Sequence, residues 1–270
     1  MVVVGRHQIV AIGDSLTAGW QQGFAEYAPF ESRESRRLLA TSYPYRLGQM
    51  LSRQEDGDLI LNLGRSGSST RDWTPGAVWR KRGDRSFPLN GRPLDEILAF
   101  TTPPKICLVL LGSNDILQSS LPGVLSRAMG GVSGYEKKGF LQSKENLLSF
   151  LRAVGQKGTL TLLAKIPPIH YRGGLAPFGI DRVFFDNPKA EREFAARTEM
   201  VNAKIEEIWK APPAGLRPGP DLFAVLEGAT HVWSQDRLHP SSKGYRRIAE
   251  AWASVLEAEE VVIRLEARSA

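Results

Sequence analysis

Four short polar stretches hold residue types that could attack a carbonyl or move a proton. The apolar run HQIVAIG ends in Gly13-Asp14-Ser15. A second run leads into NLGRSGSST, with Gly64 and Gly67, and a third into LGSNDI, with Gly112, Asn114 and Asp115. Near the end of the chain, SQDRLHPSSKGY sets Asp236 three positions before His239. A serine hydroxyl is a poor nucleophile unless a base takes its proton as it attacks. Acyl transfer also needs donors aimed at the developing oxyanion. Each of these residues also has a plainer use, because serine and aspartate cap helices and glycine opens turns. For Ser15 the choice lies between a helix N-cap and a nucleophile.

The elements around these stretches decide whether they can meet. HQIVAIG, DLILNLG, ICLVLLG and TLTLLAKI are continuous apolar runs, the pattern of parallel strands covered on both faces. DLFAVL, from Asp221 to Leu226, is a shorter fifth candidate strand. Helices are predicted from Tyr43 to Arg53, Leu94 to Phe100, Ser143 to Val154 and Pro188 to Lys210. The last has Asn187 as N-cap and Pro188 at its first position. SSKGYRRIAEAWASVLEAEE reads as a closing amphipathic helix. Strands alternating with helices predict a doubly wound α/β domain, with no internal repeat or linker across 1–270. Long insertions near 21–41, 70–93, 118–139 and 167–187 each follow a strand. Such loops gather at the strand C-terminal edge of an open sheet, where ligands bind, and loops of that length are more often functional than decorative.

Taken in order, the polar stretches resemble the sequence blocks of the SGNH/GDSL hydrolase superfamily. The first block, GDSL, is Gly13 to Leu16; the second supplies a glycine that Gly67 matches best; the third, GxND, is Gly112 to Asp115; the last, DxxHP, is Asp236 to Pro240. The resemblance implies a flavodoxin-like three-layer α/β/α sandwich around a five-stranded parallel sheet. It also implies a serine esterase or acyl hydrolase that forms an acyl-enzyme on Ser15. His239 is then the base, and Asp236 holds its Nδ1–H so that Nε2 faces Ser15. The oxyanion donors are the backbone N–H of Ser15, that of Gly67 and the side-chain amide of Asn114. Glycine suits position 67 because a side chain would obstruct close backbone approach.

Other residues get smaller parts. Asp14 is expected to organise the turn, and Asp115 to have a structural role, capping the helix after the third strand. His170 and Trp233 are candidate substrate contacts; His7 and His231 are expected to be structural or surface residues. Trp73, Trp79, Tyr171, Phe178, Phe184 and Phe185 are further candidates for pocket or lid aromatics. The histidines are not at ligand spacing and there is no HExxH or CxxC, so no metal is expected, and serine hydrolysis calls for no cofactor.

The bulk numbers set outer limits. A net charge of +6, from 35 basic and 29 acidic residues, is scattered in pairs and triplets, which reads as a solvated surface and not a nucleic-acid stripe. The lone Cys107 sits in an apolar run and rules out an intramolecular disulfide framework. Without an 18-residue apolar run or a signal-like start, the chain is expected to be cytoplasmic, without a transmembrane segment. The expected partner is a small-molecule, glycan or lipid ester; sequence leaves the oligomeric state open. Two rival readings are a carbohydrate O-deacetylase working by the same mechanism and a nucleotide or phosphate-binding module. The second is disfavoured because neither glycine-rich turn forms GxGxxG or a P-loop.

Overall fold

The computed structural model describes residues 2–4, 8–19, 41–52, 59–78, 92–120, 139–169, 188–234 and 238–263. In chain order the strands are β1 (Val2–Val4), β2 (Ile9–Gly13), β3 (Ile60–Asn62), β4 (Ile106–Leu110), β5 (Leu160–Lys165), β6 (Leu216–Asp221) and β7 (Val261–Ile263). The helices are α1 (Ser15–Ala18), α2 (Tyr43–Ser52), α3 (Pro93–Leu98), α4 (Ser113–Ser120), α5 (Ser143–Gly155), α6 (Pro188–Lys210), α7 (Leu222–Leu226) and α8 (Ser242–Ala258).

Five strands form one parallel sheet in the order β3-β2-β4-β5-β6. Counted among themselves these strands run 2-1-3-4-5, the flavodoxin-like order. Right-handed crossovers then dictate the layers. The step from β2 to β3 goes one way along the sheet, and every later step goes the other. The helix α2 therefore lies on one face and α3, α5 and α6 on the opposite one. The closing helix α8 packs back against α2, and α5 packs against α3 and α6.

Periodicity explains which side of each helix is buried. In α5 the buried residues Leu147, Phe150, Leu151 and Val154 recur at helical spacing; in α8 Tyr245, Ile248, Ala249, Trp252 and Leu256 do the same. The central strands are covered on both faces, so every residue of β2 and β4 is buried. Burying a side chain such as Ile12 or Leu108 is worth roughly 1.5–3 kcal/mol relative to leaving it exposed.

The expected fifth strand is a helix. Asp221 ends β6 and its side chain accepts from Ala224 N–H at 3.1 Å, capping α7 over the DLFAVL stretch. The strand is the preceding LRPGPD, whose two prolines argue against a central strand. They are tolerated because β6 is an edge of the sheet. Gly219 also lets β6 approach the backbone at Leu163 and Ala164, which a Cβ would crowd to 2.7–2.8 Å. Beyond the main sheet, β1 pairs in parallel with β7, joining the two ends of the chain. The expected N-cap Asn187 and most of the long insertions lie outside the described residues.

Candidate active site

The direction of the sheet changes between β2 and β4, and the ends of these strands, Gly13 and Leu110, are paired neighbours. A crevice opens at such a switch point. A Cβ at Gly13 would run into Leu110 O and Thr17 Oγ1, so no larger residue fits where the two strands leave the sheet. Asp14 caps α1, its carboxylate accepting from Leu16 N–H at 2.9 Å. Ser15 is therefore the first residue of the helix and not its cap. Its half-buried hydroxyl is directed elsewhere: Ser15 Oγ lies 2.8 Å from His239 Nε2, although 224 residues separate them.

A return in the chain holds His239. Trp233 and Pro240 form an antiparallel bridge, Ser234 N–H donates to His239 O at 2.8 Å, and Ser241 N–H donates to Val232 O at 2.7 Å. Gly244, at the start of α8, is closed in by Val232 O and Pro240. These contacts leave His239 only 8% exposed. Asp236 lies outside the described residues, as do His170, His7, Trp79, Tyr171, Phe178, Phe184 and Phe185. Trp233, a partner in that bridge, is buried, whereas His231 is exposed. Trp73 is fully buried, edge-on to Phe150 at 6.1 Å, which makes it a core residue.

The loop after β3 presents two glycines with different duties. Gly64 N–H donates to Asn62 Oδ1 at 2.9 Å, and a Cβ there would run into the α1 backbone at Thr17 and Ala18. Close backbone approach is thus the reason for glycine at 64. At Gly67 a Cβ would meet no described atom within 4 Å, but φ is +84°, a left-handed conformation that glycine adopts without strain. The left-handed backbone is a reason for glycine at 67 beside the one expected from sequence.

Several buried bonds fix this loop. Arg65 N–H donates to Gly13 O at 2.8 Å, while its guanidinium, 1% exposed, pairs with Glu96 at 2.5 Å and lies 5.9 Å from the Trp73 ring centroid. Ser68 Oγ accepts from Trp73 Nε1 at 3.1 Å. Asn114, on α4, donates through Nδ2 to Ser68 O at 3.0 Å, so the third stretch reaches the second directly. Asp115 is buried and structural, its carboxylate accepting from Thr70 N–H and O–H. The structure therefore brings Ser15, His239, Gly67 and Asn114 to the same edge of the sheet, from four separate segments.

Asp14 carries the unusual electrostatics of this edge. It is fully buried and accepts a hydrogen bond from Ser113 Oγ. Burial raises its pKa from 3.8 to about 6, against the opposing pull of the Ser113 and Leu16 hydrogen bonds and the charge of His239. The folded state therefore favours neutral Asp14. Its contribution to stability is complete below pH 3.8 and is lost as pH rises to about 6. The loss is on the order of 3 kcal/mol. Asp14→Asn keeps the shape, with the amide oxygen on Leu16 N–H and the amide N–H on Ser113 Oγ, but cannot ionise. Melting curves should show this variant gaining stability relative to the wild type between pH 4 and 7. A difference that stays constant over that range would refute the assignment.

Comparison with known proteins decides the family. The model of the GDSL-like lipase/acylhydrolase family matches residues 11–247, most of the chain. The chain belongs to this family. As a GDSL-like lipase/acylhydrolase it is an ester-bond hydrolase, and its α/β/α fold recurs in solved structures of low sequence identity. A G-D-S-L family lipolytic protein from Desulfitobacterium hafniense DCB-2 is 17% identical with a TM-score of 0.53, covering 92% of this chain and 98% of that one. A catalytic mutant of an acetylxylan esterase from Geobacillus stearothermophilus is 15% identical, TM-score 0.54, covering 94% of each chain. A mutant acetyl esterase holding an acetate ion is 13% identical, TM-score 0.56, covering 96% of this chain and 98% of that one. No curated protein matches this GDSL-like chain in sequence. None of its described helices is long and apolar enough to cross a membrane.

Proposed function

We propose that this chain is a serine esterase that cleaves carboxylic esters through an acyl-enzyme on Ser15. The observation that carries the reading is the 2.8 Å approach of His239 Nε2 to Ser15 Oγ. With its proton on Nδ1, the imidazole accepts the serine proton as Oγ attacks the ester carbonyl carbon. The carbonyl π electrons move onto oxygen, giving a tetrahedral oxyanion. The backbone N–H groups of Ser15 and Gly67 and the Asn114 amide stabilise it. The oxyanion then collapses, the bond to the leaving alkoxide breaks, and the imidazolium donates its proton to that oxygen. Water attacks the acyl-enzyme in the same way, giving its proton to His239, and Ser15 is released with the carboxylic acid. Asp236, three residues before His239, is assigned the Nδ1–H and the imidazolium charge.

A short acyl group on a carbohydrate is the second reading. Two proteins of similar fold are named as an acetyl esterase and an acetylxylan esterase, which supports acetyl esters as the first substrates to try. Turnover of p-nitrophenyl esters of rising chain length should be compared with acetate release from acetylated xylan. Efficient release from xylan, with weak turnover of the aryl esters, would favour the deacetylase. The reverse pattern would favour a general esterase. Absence of turnover on both, by protein shown to be folded, would count against the proposed chemistry.

A further inference from the structure

The two oxyanion donors assigned to side segments, Gly67 N–H and the Asn114 amide, sit on elements that are not consecutive in the chain. The strands that precede them, β3 and β4, are not paired with each other, because β2 lies between them. The structure joins them at two points instead. Asn114 Nδ2 holds Ser68 O at 3.0 Å. One residue further along α4, Asp115 takes both the N–H of Thr70, at 2.9 Å, and its O–H, at 2.6 Å. Thr70 Oγ1 also accepts from Asn146 Nδ2 of α5 at 3.1 Å, tying the junction to a third element. Asp115 and Thr70 are 0% and 1% exposed. The Thr70 hydroxyl is thus used as donor and acceptor at once, and the carboxylate accepts one hydrogen bond from it and one from the Thr70 N–H.

This arrangement has a geometric consequence. Asn114 and Asp115 grip the 68–70 segment with opposite chemistry, one donating and the other accepting, so that segment cannot slide along α4 without losing one bond or the other. Gly67 immediately precedes the gripped segment. Among the described residues, Asn114 spends one amide N–H on Ser68, which leaves the second for a substrate oxygen. We propose that Thr70 and Asp115 are positioning residues that set the spacing between the Gly67 N–H and the Asn114 amide, and so tune the oxyanion site. They touch no reacting atom; they act through Asn114 and Gly67. The inference rests on the serine-esterase reading.

Thr70→Val removes the hydroxyl while keeping the side-chain volume and the backbone N–H. A misplacement on the order of 1 Å at a catalytic group costs about 100-fold in rate. A partial loosening should therefore lower kcat for p-nitrophenyl acetate by about 10- to 100-fold, with KM nearly unchanged. Affinity for phenylboronic acid, a tetrahedral mimic, should weaken alongside kcat. Thr70→Ser restores the hydroxyl and should restore most of kcat and of the boronate affinity. Should Thr70→Val fail to fold, Asn146→Ala tests the same junction from its half-buried outer side. It should reduce kcat by about 3- to 10-fold, again without a matching rise in KM. A purely packing role would lower the melting temperature of Thr70→Val while leaving kcat per folded molecule and boronate affinity intact, and that result would overturn the inference.

The Asn114→Ala background separates the two levels. If Asn114→Ala is slow and adding Thr70→Val costs less than it does in the wild type, the residues act through Asn114 as proposed, the remaining loss passing through Gly67. If the losses multiply, the positioning role is wrong while the esterase reading stands. If Asn114→Ala alone is fully active, the oxyanion assignment itself fails.

Discussion

Ser15→Ala should lower kcat on p-nitrophenyl acetate by about four to six orders of magnitude, and His239→Ala by a comparable factor. The Ser15→Ala/His239→Ala double variant should be no slower than the worse single one. The reason is the shared proton transfer across the 2.8 Å contact. Without His239, Ser15 Oγ keeps its proton as it attacks; without Ser15, the imidazole has no alcohol to activate. Removing either member disables the same step, so the losses cannot multiply. Stopped assays on purified, folded variants provide the check. Multiplying effects would mean that the two residues act in separate steps, against the mechanism. Both substitutions lie at the ends of elements and not in the interior of the sheet, so circular dichroism should show native structure.

The second large effect belongs to Asn114. Asn114→Ala removes one donor to the oxyanion and should lower kcat by about 100- to 1,000-fold, equivalent to about 2.7–4 kcal/mol of transition-state stabilisation. KM should change little, because the negative charge that Asn114 stabilises develops after the substrate has bound. The backbone donors at Ser15 and Gly67 remain, so some activity above the Ser15→Ala level should persist. The substitution also releases Ser68 O from its 3.0 Å hydrogen bond. The effect on stability should be moderate, since the loop retains Arg65 N–H on Gly13 O and the Thr70–Asp115 pair. A KM rise that accounts for the whole loss of kcat/KM would show Asn114 to be a ground-state binding residue instead.

Much of this arrangement was legible in the residues. Four strands announced themselves as apolar runs, because a strand buried on both faces has little use for polar residues. The helix Pro188–Lys210 agreed at both ends, helped by Pro188 at its first position. Three of the polar stretches could be placed at one edge of the sheet because each follows a parallel strand. The fifth strand was hidden for a physical reason. An edge strand carrying Pro218, Gly219 and Pro220 has almost no strand signature, while the neighbouring LFAVL is apolar enough to imitate one. Only the capping role of Asp221 separates the two, and a single aspartate is too weak a signal to show it.

The supporting residues of the site were less visible. Ser113, Ser68, Thr70 and Arg65 have common types and no diagnostic spacing; their importance comes from partners brought close by the fold. Asp14 pairs with Ser113 across 99 residues and Asn114 reaches Ser68 across 46. Nothing in the sequence around Arg65 marks it as buried, yet it packs against Trp73 and pairs with Glu96. Gly67 was singled out by its block, but the block does not show its left-handed φ of +84°. Spacing can suggest which residues meet; it does not reveal which backbone dihedral a glycine must adopt.

Acid-quenching the enzyme during turnover of p-nitrophenyl acetate, followed by mass spectrometry of its peptides, tests the central claim most directly. A single acetyl group should be found on Ser15, and should accumulate if His239→Ala slows deacylation more than acylation. Acetylation confined to another residue, together with undiminished turnover by Ser15→Ala, would contradict the account.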